Sequence, residues 1–115
     1  MGRCLDFNKL EKKVLSIKLN DKNKTELTVL PPSKNLYEKV VLVRERLQQL
    51  LKTDLDDALA VDIVGDIYEV VALTMSRNRE EITITKDEAT KMLDFKDVWE
   101  FLNLYVNELM LYEKN

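Results

Sequence analysis

Three carboxylates, Asp62, Asp66 and Glu69, recur at helical spacing and are the first candidates for chemistry in this chain. Carboxylates so placed can share a divalent cation. A single helix presents them side by side rather than around an ion. No glycine-bearing calcium loop accompanies them, and the sequence holds no His to complete a transition-metal site. The stripe therefore reads as a solvated helix face. Cys4, the single cysteine, has no imidazole to raise its thiolate fraction and no second thiol to pair with, so it reads as a small strand residue of a protein from a reducing compartment. The absence of His also removes the acid/base group that titrates nearest neutral pH. No nucleophile elbow, phosphate-cradling glycine loop or paired-cysteine motif occurs. The lysines near the amino end suit a protected sheet edge better than catalysis. No catalytic residue, cofactor or metal ligand is assigned, and the chain is expected not to be an enzyme.

The elements around these residues follow from length and patterning. At 115 residues, with 45% apolar and 34% charged residues and only two Gly and two Pro, the chain suits one packed domain over residues 1–115. Its expected division is a β-sheet over 1–30 and a helical part over 33–115. Leu15, Ile17 and Leu19 alternate with polar residues, as do Leu27 and Val29, and a polar connector joins the two runs. This predicts an antiparallel hairpin, with Cys4 to Phe7 as a candidate third strand. Pro31 and Pro32 end the sheet, and Ser33 can cap a helix. Leu36, Val40, Val43, Leu47 and Leu50 place the apolar face of a helix running to about Lys52.

Thr53 or Asp54 can cap a second helix, with Val61, Val64, Tyr68, Val71 and Met75 inward. Gly65 costs that helix roughly 1 kcal/mol relative to Ala, which a close helix approach would offset. Residues 76–81 read as a loop, and Ile82 and Ile84 as a very short extended piece. Thr85 with Glu88 forms a capping-box pattern. Asp94 can cap a last helix from about Lys96 towards Tyr112. The fold class is thus α+β, a short amino-terminal antiparallel hairpin or three-stranded meander packed against three to four helices.

The last helix carries the strongest signal for function. At about 100° per residue, Val98, Phe101, Leu102, Tyr105 and Leu109 share one face. Trp99, Val106 and Met110 form a neighbouring stripe, and Leu104 and Leu111 lie farther round. A helix so widely apolar is either deeply enclosed in its own domain or covered by another chain, and the two options stand level here. These five outlying residues, Trp99, Val106, Met110, Leu104 and Leu111, are the candidate partner-binding set. Trp and Met both suit interfaces.

Charge is unevenly distributed: +4 over residues 1–24, +2 over 25–53, −6 over 54–76, zero over 77–93 and −3 over 94–115. Such polarity suits contact between unlike surfaces of two copies, or simply two solvated faces. Residues 82–106 superficially resemble a helix-turn-helix. The would-be reading helix, however, sets Lys96 against Asp97 and Glu100, so nucleic acid is not the expected partner. No apolar run reaches membrane-spanning length, and the start MGRCLDFNKL lacks the apolar core of an export signal, so a cytoplasmic protein is expected.

DFNKL, then VLSIKLNDKNKTELTVLPPSKNLYEKV at 14–40, then ITKDEATKML and an aromatic final helix together resemble the tail assembly chaperones of long-tailed phages and prophages of Gram-positive bacteria. The resemblance spans nearly the whole chain and lies in its organisation: a hairpin, a Pro-Pro junction into a helix and a mainly helical remainder. It implies a non-enzymatic, oligomeric protein that escorts the tape-measure protein and recruits the major tail protein during virion assembly in the host cytoplasm. Such families often make a longer product by frameshifting, and the terminal Lys114-Asn115 pair is compatible with a slippery codon pair. The alternatives are an unrelated helical adaptor or regulatory protein that oligomerises through its last helix, or a small DNA-binding regulator.

Overall fold

The computed structural model describes residues 14–52 and 56–110. Strands β1 (Leu15–Lys18) and β2 (Glu26–Val29) form the expected antiparallel hairpin, with Leu15 opposite Val29 and Ile17 opposite Leu27. Register follows from the alternation: Leu15, Leu27 and Val29 are buried, while Ser16, Lys18 and Glu26 face solvent. Asp21 shapes the loop, accepting from the Thr25 N–H at 2.8 Å and from the Thr25 hydroxyl at 2.6 Å. Those bonds hold its carboxyl below the usual value, the side-chain bond most strongly. Lys24 completes the loop with a left-handed φ of 51°. The candidate strand at Cys4 to Phe7 lies outside the described residues.

Beyond β2 the chain runs into α1 (Lys34–Lys52), α2 (Asp57–Ser76), α3 (Lys86–Met92) and α4 (Phe95–Tyr105), which continues as a π-helical turn over Val106–Met110. The Ser33 hydroxyl accepts from the Leu36 N–H at 3.3 Å and starts α1, whose Leu36, Val40, Val43 and Leu47 are buried. Helix α2 is the centre of the domain, packing against α1, α3, α4 and β2. Helices α3 and α4 both begin with reciprocal capping boxes, Thr85 with Glu88 and Asp94 with Asp97. The Tyr68 hydroxyl donates to the Leu93 carbonyl at 2.8 Å and fastens the α3–α4 junction to α2. Burial, and secondarily the nearby Asp94 and Asp97, push that phenol's pKa up. The architecture is α+β, with one two-stranded sheet and four helices among the described residues.

Several expectations change. Thr53 and Asp54 lie outside the described residues, and Asp56 caps α2, accepting from the Ala58 N–H at 2.8 Å. Helix α2 takes in Ser76, so the loop starts one residue later. Among the described residues a Cβ at Gly65 would meet only the flexible end of Lys86, its Nζ at 3.4 Å, so no close backbone approach there offsets the glycine. Val61 lies on the inward stripe but is 69% exposed. Burial along that stripe falls from Tyr68 through half-buried Val64 to Val61, because inward periodicity produces burial only where another element lies opposite.

Among the described residues Ile82 and Ile84 pair with no strand; side chains serve their backbone instead. The Ser76 hydroxyl accepts from the Ile84 N–H and donates to its carbonyl, while Asn78 accepts from the Ile82 N–H and donates to its carbonyl. The loop then closes the outer edge of β2. Leu30 N–H donates to the Arg77 carbonyl, Arg79 N–H donates to the Thr28 carbonyl, and the Glu80 carboxylate accepts from both the N–H and the hydroxyl of Thr28, each at 2.7 Å. These two bonds hold the Glu80 carboxyl below its ordinary value of 4.5. A depressed folded pKa means the latch stabilises fully above that ordinary value and is lost as pH falls through the lowered one. Glu80→Gln keeps the shape without that titration, so the stability gap between parent and variant should narrow from pH 7 towards pH 3 in urea unfolding. A gap independent of pH would remove Glu80 as the latch.

Candidate protein-binding surface

The five residues expected to meet a partner separate in the structure. Val106 is only 5% exposed and belongs to the core, which corrects its place in the set. It follows Leu102 by one helical turn, and the covered arc of α4 is wide because both α1 and α2 lie against that helix. Trp99 and Met110 are half-buried and pack against the core. Leu104 faces outward at 45% exposure, and Leu111 lies outside the described residues. Val98, Phe101, Leu102, Tyr105 and Leu109 are enclosed as the periodicity predicts. The last helix therefore serves mainly as core. Its outer side carries Lys96 among Asp97, Glu100 and Glu108, a field that repels phosphate.

Apolar surface lies instead on α1 and α2, at Leu42 and Leu59, which the inward periodicity leaves out, and at Val61, which it places inward. Leu42 is 57% exposed, Leu59 47% exposed, and Val61 is the most exposed large apolar residue among those described. Leu42 and Leu73 border a cleft of about 210 Å³ between α1 and α2, which Arg46 and Asp66 bridge with a 2.7 Å ion pair. That pair gives Asp66 a protein partner, so the carboxylate stripe is in part an interhelical contact. Both side chains are half exposed, and such a pair contributes about 0–1 kcal/mol. Asp62 and Glu69 remain in solvent. Among the described residues, no group of three or more His, Cys, Asp or Glu is placed to hold a metal ion.

The second apolar feature sits at the loop end of the α1–α2 hairpin. Leu50 from the end of α1, Ala60, Val61 and Val64 from the start of α2, and Phe95 from the first turn of α4 line a groove of about 350 Å³. Its lining is wholly apolar by residue type. It offers no convergent polar groups of the kind that orient a small molecule. Such a surface can cover apolar side chains of another polypeptide. One signal was present in the sequence: Leu59 and Val61, two positions apart on a helix, cannot both face inward. No helix is long and apolar enough to cross a membrane among the described residues. Comparison with protein-family models, with curated proteins and with solved structures finds no match to this chain.

Proposed function

We propose that this chain is a non-enzymatic tail assembly chaperone of a long-tailed phage or prophage, binding the tape-measure and major tail proteins by side-chain contact in the host cytoplasm. The observation that supports this reading is the apolar surface on the helices, where Leu42, Leu59, Val61 and Leu73 face solvent in a domain whose core is otherwise well enclosed. The organisation shared with tail chaperones, a hairpin leading through Pro31-Pro32 into helices, supports the same reading. An adaptor that oligomerises through its last helix draws less support, since Val106 is enclosed.

The test is co-expression with the products of the genes flanking its own. A tape-measure protein and a major tail protein should be encoded there, and the tape-measure protein should co-purify with this chain and stay soluble only in its presence. Metabolic neighbours, or a tape-measure protein indifferent to the chain, would overturn the proposal.

A further inference from the structure

The groove lined by Leu50, Ala60, Val61, Val64 and Phe95 lies between helices and beside a strongly acidic element. Helix α2 carries Asp57, Asp62, Asp66 and Glu69 and no base. Asp57 precedes Val61 by one helical turn and shares its face, whereas Asp62, Asp66 and Glu69 lie round the helix from the groove. Asp57 makes no ion pair with a described residue. Asp56, Asp94 and Asp97 stand at the two helix starts that meet here, while Lys52 and Lys96 are the nearby bases. The rim is therefore net acidic.

We infer that this groove seats an amphipathic helix of a partner protein, with aliphatic side chains at i, i+3 or i+4 and i+7 in the groove and Lys or Arg on its flanks. The inference rests on the protein-binding reading above and gives that reading a location and a partner chemistry. Three helix ends form the walls, which suits the spaced side chains of a fourth helix better than an extended strand, for which the groove offers no backbone edge. The acidic rim selects basic flanks and speeds encounter. A symmetric pair of copies meeting at this groove would set Asp57 against its own mate, which disfavours a symmetric dimer as the occupant.

The probe is a labelled helical peptide of about 18 residues, long enough to form a helix when held, with Leu at the anchor positions and Lys on both flanks; its control carries Glu in place of Lys. In fluorescence anisotropy the Lys peptide should bind the full chain at least about tenfold more tightly than the Glu peptide. Val61→Ser, at an exposed position that leaves the fold unchanged by circular dichroism, should weaken the Lys peptide by about tenfold. Asp57→Asn should narrow the preference between the two peptides. Binding of neither peptide, equal binding of both, or indifference to Val61→Ser overturns the inference. So does a concentration-dependent mass that Val61→Ser abolishes, since the groove would then seat a second copy. If the tape-measure protein binds Val61→Ser as tightly as the parent chain, the chaperone reading stands and the groove is not its docking site.

Discussion

Tyr105→Ala should lower the unfolding free energy by about 3–5 kcal/mol, the range for removing a fully enclosed aromatic ring. Tyr105 has no exposed surface and is the largest fully buried side chain among the described residues. Its ring lies 5.7 Å from that of Phe101, and its hydroxyl donates to the Leu30 carbonyl at 3.3 Å, joining α4 to the end of β2. Burial pushes the phenol's pKa far up, so it remains a neutral donor throughout the working pH range. Domains of this size hold about 5–15 kcal/mol in total, so the variant should give up a large share of its stability and unfold at a markedly lower urea concentration. Tyr105→Phe keeps the ring and loses only the long hydrogen bond, at a cost of about 0.5–1.5 kcal/mol. Urea unfolding of both variants separates the ring from the hydroxyl. A loss below about 1 kcal/mol for Tyr105→Ala would mean that α4 does not pack as described.

What the residues disclosed in advance divides along the range of the interactions involved. The caps at Thr85 and Asp94 depend on atoms three positions away, and both stand where the sequence puts them. The hairpin register and the inward face of α4 follow from periodicities of two and 3.6, which survive any choice of partner element. Val61 is different. It satisfies the inward period of α2, yet its burial depends on how far α3 and α4 extend, and no local pattern encodes that distance. Val106 errs in the opposite direction: periodicity locates the centre of a buried arc but not its width, which is set by how many helices lie against α4. The apolar groove sets the loop end of the α1–α2 hairpin against the start of α4, and no local pattern brings Phe95 to Val61 and Val64. Leu59, out of phase with the stripe, marks a second apolar side of α2 away from that groove.

Asn78→Ala should destabilise the domain by about 2–4 kcal/mol, a large effect for a residue in a polar, aperiodic loop. The Asn78 side chain is buried and makes three hydrogen bonds, donating to the carbonyls of Met75 at 2.6 Å and Ile82 at 2.8 Å and accepting from the Ile82 N–H at 2.9 Å. Its backbone pairs with Val29, so one residue ties the end of α2, the edge of β2 and the approach to α3. Alanine would leave two carbonyls and one N–H short of partners in a site with limited access to water. Asn78→Asp is the sharper test. It retains the acceptor for Ile82 but loses both donor bonds and sets a negative charge against two carbonyl oxygens, so at neutral pH it should destabilise at least as much as alanine. Its deficit should shrink on acidification, because protonation restores one donor and removes the charge, whereas the alanine deficit should lack that recovery. Hydrogen exchange at Ile82 should accelerate in both variants ahead of the α1 core. Unchanged protection there, with a stability loss below about 0.5 kcal/mol, would mean that backbone pairing alone holds residues 77–85 in place.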